Sequence, residues 1–242
     1  MGTNLNAIGY GRINFSNQLS LFNLQMSPER QVLIYCYYIM RQHYCSSRNI
    51  YTSYKDWITA QISSVNQRVQ MIDIGCGPAT CGIAFAEIFK KTAPDMVYAG
   101  IDVSTEMKRM GKYLLNDVFS GEINWQMFNS FNELDALYWE GYSELPSLVI
   151  FNMSYFFSNV SAQFTERLAI QISEIIKKHP LNKYLFIIQH SECDKKLNSF
   201  KVFRQILVPY IKIVKSEEAS FSYILNYRER RLGFCYDIYC SK

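Results

Sequence analysis

Hydrophobic positions divide this chain into a stretch without periodicity, a helical stretch, and then a regular alternation of short apolar runs with amphipathic ones. From Val69 onward the short runs read as strands over Val69–Ile74, Met96–Asp102, Ile123–Phe128, Leu148–Asn152 and Tyr184–Gln189. Between them, 3.6-residue periodicity predicts helices over about 79–91, 104–117, 160–178 and 196–208. In the first of these helices Cys81, Ala84, Phe85, Ile88 and Phe89 fall on one stripe, as a helix covering a sheet face requires. Alternating strands and helices imply a parallel sheet covered on both faces. The tail differs: Phe221–Leu225 and Phe234–Cys240 flank the charged segment Asn226 to Leu232 and Gly233, which predicts an antiparallel hairpin at one sheet edge.

Ahead of the sheet, residues 1 to 26 are rich in Asn, place Gly9 and Gly11 around Tyr10, and show no period. Ser27-Pro28-Glu29 is a helix start, with a serine cap, proline at the first helical position and an acid in the first turn. That helix is expected to reach about Cys45 and, being apolar nearly all round, to be buried. A second is expected over about Ser53 to Asn66, with Tyr54, Trp57, Ile58, Gln61 and Ile62 on one face. The organisation expected is thus an arm and helical cap over 1–66 and a sheet domain over 67–242.

The stretch Met71-Ile-Asp-Ile-Gly-Cys-Gly-Pro-Ala-Thr80 carries the most specific chemistry. A strand ending near Asp73 runs into Gly75-Cys76-Gly77 and then straight into a helix, a turn that presents backbone to a nucleotide-like ligand. A dinucleotide fingerprint is not met, because Thr80 stands where G-x-G-x-x-G requires its third glycine. An acid just before the glycines also repels a pyrophosphate and suits a ligand carrying an ammonium group. Asp102 follows 29 residues after Asp73, again at an apparent strand end. A carboxylate there can accept both hydroxyls of a ribose, and Ser104 caps the helix that brings in Met107.

Asp73-to-Thr80 and Asp102 resemble the first two cofactor motifs of class I methyltransferases, which use S-adenosylmethionine. The resemblance covers about Val69 to the C-terminus. It implies an α/β fold with a seven-stranded, mostly parallel sheet, helices on both faces and the final strand antiparallel. It implies cofactor contacts at Asp73, Gly75, Cys76, Gly77, Asp102, Val103 and Met107. After the third strand, Asn129 takes the place of the family's usual acid; its side-chain oxygen can accept from an adenine amino group, with the Ser130 N–H serving a ring nitrogen. Asn152, ending the fourth strand, would border the methionine part of the cofactor, and Tyr155, with Phe156 and Phe157, would stack an acceptor or shield the sulfonium. Asn152-Met-Ser-Tyr155 lacks both prolines of the Asn-Pro-Pro-Tyr signature of DNA-base methylation. The resemblance also implies a cap that closes over the acceptor.

Composition adds limits. At 242 residues, with 49% hydrophobic and 19% charged positions, the chain suits one folded α/β domain with an added cap. Its 18 Tyr and 16 Phe supply area for a core or for stacking flat ligands. Seven cysteines, with no C-x-x-C pair and no histidine at ligand spacing, indicate neither zinc nor a disulfide framework, so the expectation is no metal and a reduced, cytoplasmic setting. No secretory signal is visible, and the longest apolar run, Val32 to Met40, is too short to span a membrane. The net charge of +4 is modest, with Arg228, Arg230 and Arg231 clustered on an expected turn.

His190, just past the fifth strand, is the expected base for an acceptor hydroxyl or amine, with Glu192 to orient it. His43, in the cap, and His179, at a helix end, are less promising. The leading reading is a methyltransferase acting on a small or medium-sized acceptor. RNA is the alternative acceptor, and a non-catalytic protein that binds the cofactor or a partner is a further one.

Overall fold

The computed structural model describes residues 19–21, 24–65, 68–119, 124–138, 147–191, 197–225 and 228–242. A short antiparallel pair, β1 (Leu19–Leu21) and β2 (Leu24–Met26), precedes α1 (Pro28–Tyr35). One turn of π-helix, Cys36–Met40, joins α1 to α2 (Arg41–Ser53), and α3 (Lys55–Ser63) follows. The first cap helix therefore runs eight residues past the expected Cys45. It is also not buried all round, since Leu33 and Tyr37 stand 55% and 63% exposed.

The main sheet comprises β3 (Val69–Ile74), β4 (Val97–Ile101), β5 (Asn124–Phe128), β6 (Leu148–Ser154), β7 (Lys183–His190), β8 (Ile211–Leu225) and β9 (Arg228–Ser241). Their order is β5-β4-β3-β6-β7-β9-β8. Strands β3 to β7 are mutually parallel, and β9 runs antiparallel between β7 and β8. This is the class I methyltransferase fold. The chain enters the sheet at β3, winds outward to β5 and returns to β6, so the order reverses between β3 and β6. Ligands in open α/β sheets bind beyond the carboxyl ends of the strands at such a point.

Strands β3 and β4 are buried throughout because helices cover both faces. On one face lie α2, α3, α4 (Thr80–Phe89) and α5 (Thr105–Phe119). On the other lie α6 (Phe131–Tyr138), a helix the sequence pattern did not reveal, α7 (Ala162–Lys178) and α8 (Asn198–Leu207). Ile50 and Tyr51 of α2 and Ile58 of α3 are fully buried in the same core as Met71, Phe85 and Phe89. Each such side chain stabilises by roughly 1.5–3 kcal/mol, so α2 and α3 are a layer of the sheet domain. Helix α1 rests on a separate small cluster, with Val32 and Tyr35 against Met107 of α5.

The edge hairpin is longer than expected. The stretch read as a charged separator is mostly strand: Ser222 pairs with Arg231 and Leu225 with Arg228, and only 226–227 lie outside the described residues. An edge ribbon needs no continuous apolar face, so its polar residues concealed the pairing.

Candidate functional site

The carboxyl ends of β3, β4, β5 and β6 bring the expected residues to one rim. Gly75 and Gly77 hold φ of +72° and +53°, and Ala79 holds +61° just before α4. A side chain at Gly75 would be strained by that φ, and its Cβ would come within 2.9 Å of the Phe156 ring. The turn is welded to the end of β4: the Gly75 and Cys76 amides donate to the Ile101 carbonyl at 2.8 and 3.0 Å. The Gly77 amide donates to Asp102 Oδ2 at 3.0 Å, and the Ser104 amide to Asp102 Oδ1 at 2.8 Å. These amides are therefore spent within the protein. The turn offers a close backbone surface more than a set of free donors. Cys76 is buried, and its surroundings push the thiol well above its ordinary range.

Asp73 is buried at 1% exposure. Its carboxylate accepts from Tyr98 Oη at 2.9 Å, from Asn152 Nδ2 at 2.7 Å and from the Gly82 amide in the first turn of α4. Burial raises its pKa to about 6, and these donors lower it. The first turn of the helix that would face a phosphate thus already has one amide directed at the protein's own carboxylate, which disfavours a phosphate there. Asn152 is equally committed, because its Oδ1 accepts from Tyr51 Oη at 3.0 Å. Its side chain braces Asp73 and ties α2 to the sheet.

Asp102 is partly exposed, and each of its oxygens retains a lone pair beyond the two amides it holds. Burial raises its pKa, opposed by the Ser104 and Gly77 amides. Val103 beside it is 83% exposed, whereas Met107 is buried under α1. Asn129 is exposed at the end of β5; Glu133 accepts from its amide nitrogen at 2.9 Å and from its backbone N–H at 2.8 Å. With the nitrogen held, Asn129 Oδ1 is the atom fit to accept a bond from a ligand. Ser130 Oγ caps α6 by accepting from the Glu133 amide at 3.4 Å.

His190 does not join this rim. Alternation along β7 puts it on the opposite face, 1% exposed, with Nε2 3.2 Å from Asp237 Oδ2 and its ring against Phe200. Its neighbour Gln189 faces α2 instead, accepting from Ser47 Oγ at 3.0 Å and donating to Ser46 Oγ. A side-chain period of two residues decides the matter, and a solvent-facing base is not available from His190. Glu192 lies outside the described residues.

The histidine at the rim is His43, which the sequence reading had set aside. It stacks on Tyr155, with ring centroids 4.3 Å apart and planes 19° from parallel, and its Nδ1 lies 2.8 Å from Tyr35 Oη. That hydroxyl sits 4.0 Å from where a Cβ on Gly77 would fall. Tyr155 adopts φ +53°, rare for a side chain of its size, and is held there by its amide donating to the Gln189 carbonyl at 2.7 Å. Spacing of eight residues between Tyr35 and His43, across a π-turn, was the only signal in the sequence.

No protein-family model and no curated protein matches the chain. Among solved structures, precorrin-6y C5,15-methyltransferase from Geobacter metallireducens aligns over 75% of this chain and 84% of its own, at TM-score 0.48 and 11% identity. A SAM-dependent methyltransferase from Aquifex aeolicus aligns over 71% of this chain and 81% of its own, at 0.39 and 13%. The bifunctional kinase-methyltransferase WbdD aligns over 81% of this chain and 38% of its own, at 0.46 and 13%. The strand order and rim geometry of this chain itself define its fold. Among the described residues, no helix is long and apolar enough to cross a membrane, and no group of three or more potential ligands could hold a metal.

Proposed function

We propose that this protein is an S-adenosylmethionine-dependent methyltransferase acting on a small or medium-sized acceptor covered by α1 and α2. The observation that carries the reading is the weld between Asp102 and Gly77. It sets a carboxylate with spare lone pairs beside the glycine turn that follows β3, the strand on one side of the point where the order reverses. Asp102 would take the ribose hydroxyls, exposed Val103 would lie against the adenine, and Asn129 Oδ1 would accept from its amino group. Asp73 supplies negative charge behind the turn, and the helix amide directed at it disfavours a phosphate there. S-adenosylmethionine would supply the activated methyl group; the residues here bind, align and exclude water.

Calorimetry with S-adenosylmethionine tests this. Binding is expected in the wild type and is expected to collapse in Gly75→Val and Asp102→Ala; undiminished binding in both variants would overturn the assignment. Tight binding with no turnover on any acceptor would favour a non-catalytic protein.

RNA is the second acceptor class, supported by the edge ribbon. Pairing between β7 and β9 stops at His190 and Cys235, while β8 and β9 stay paired as far as Leu225 and Arg228. The ribbon thus extends past the carboxyl end of β7 and carries Arg228, Arg230 and Arg231. RNA affinity that falls steeply with salt and requires these arginines would favour it.

A further inference from the structure

The Tyr35–His43–Tyr155 cluster is not explained by packing alone. Three elements converge on it: α1 brings Tyr35, α2 brings His43, and the residue after β6 is Tyr155 in a left-handed conformation. Its position is overdetermined. Ser46 Oγ donates to the His43 carbonyl at 3.0 Å, and Ser46 itself accepts from Gln189 of β7. The Tyr155 carbonyl accepts from Ser158 Oγ at 3.1 Å and Asn159 Nδ2 at 2.9 Å. Polar bonds thus fix an imidazole against a strained tyrosine, and its partner Tyr35 Oη lies 4.0 Å from where a Cβ on Gly77 would fall.

We propose that His43 is the group that receives the acceptor's proton, and that the acceptor accordingly presents an O–H or N–H. The proposal rests on the methyltransferase reading above. Its chemistry balances. A lone pair on the acceptor's oxygen or nitrogen forms the new bond to the methyl carbon, and the carbon–sulfur bond breaks with its electron pair left on sulfur. The acceptor's proton passes to His43 Nε2. The positive charge carried in by the methyl donor leaves as an imidazolium that then loses its proton to water.

Burial lowers the His43 pKa to about 4, so the imidazole is uncharged at working pH and able to accept. A base this weak does not ionise a hydroxyl in advance; it takes the proton as the forming bond makes it acidic.

For Nε2 to accept, Nδ1 must carry the ring proton and donate it to Tyr35 Oη. Tyr35 is therefore a positioning residue that selects the tautomer. Nitrogen-15 NMR of the full chain labelled at histidine reads this directly, and with three histidines in the chain the His43→Gln variant assigns the signal. In the protein bound to S-adenosylhomocysteine, His43 is expected to be the neutral Nδ1–H form from about pH 8 to about pH 5. Its Nε2 resonance should move when sinefungin, which places an amine where the methyl group sits, replaces S-adenosylhomocysteine. Tyr35→Phe should shift the ring toward the Nε2–H form. An Nε2–H tautomer in the wild type, a charged ring at neutral pH, or an Nε2 signal indifferent to sinefungin would each overturn the proposal. Failure of S-adenosylhomocysteine to bind, seen by calorimetry, would instead remove the methyltransferase reading beneath it.

Discussion

Asp73→Asn separates the cost of the buried carboxylate from the worth of its hydrogen bonds. Asp73 rises from the ordinary 3.8 to about 6 in the folded protein. Because this acid's folded pKa is raised, the native state binds the extra proton between those values and stability falls as pH climbs through that window. Below pH 3.8 the cost is absent; above about 6 it is complete, at about 3 kcal/mol. Asparagine removes the charge and can still accept from Asn152 through Oδ1, but it meets Tyr98 Oη with an N–H, disturbing a hydrogen bond worth about 1 kcal/mol. The variant is therefore expected to be about 2 kcal/mol more stable than wild type at pH 8. At pH 4 the wild-type carboxyl is itself protonated and uncharged, so the advantage vanishes. Urea denaturation monitored by circular dichroism at both pH values measures the difference. S-adenosylmethionine affinity should fall in the same variant, because the charge that favours a cationic ligand is gone. A variant less stable than wild type at pH 8, by an amount independent of pH, would refute the reasoning.

Three further outcomes follow from the packing. Gly82→Ala should destabilise by about 3 kcal/mol or prevent folding, since its Cβ would fall 2.2 Å from the buried Tyr98 ring, and thermal unfolding checks it. Tyr51→Phe leaves Asn152 Oδ1 buried without its donor and should cost about 1–3 kcal/mol in urea titrations, the loss carrying to Asp73 as a change in its pH dependence. His190→Gln should leave cofactor affinity within about threefold of wild type by calorimetry while lowering stability, because the ring it replaces is packed under α8 and bonded to Asp237.

Much of the architecture was legible beforehand for a local reason. Val69–Ile74 is mostly apolar, with Gln70 and Asp73 as its polar positions, and Leu148–Phe151 is wholly apolar; short apolar segments of this kind can be recognised as central strands without knowing their partners. The glycine turn was legible because a strand-to-helix reversal at positive φ leaves glycine as the residue that fits. Where local pattern and tertiary demand diverge, the reading went astray. Helix α2 was ended too early because Ser46 and Ser47, polar and seemingly outward, are buried against Gln189 of β7. The ribbon of β8 and β9 was shortened because its pairing is written in backbone register, which side-chain polarity does not report.

The chain by itself determined the strand–helix alternation, the glycine turn and the paired acids Asp73 and Asp102, because each is set by residues close together in sequence. Only the tertiary structure decided what those acids do. Three donors from β4, α4 and β6 converge on Asp73 and make it a brace, while Asp102 stays open at the rim. It also decided which histidine stands at the site. His190 is turned to the far face by strand parity, and His43 is carried in by a helix that folds back across the sheet. Strand parity fixes which face His190 takes but not which face is the site, and the approach of His43 is set by long-range packing that the residues around it do not encode.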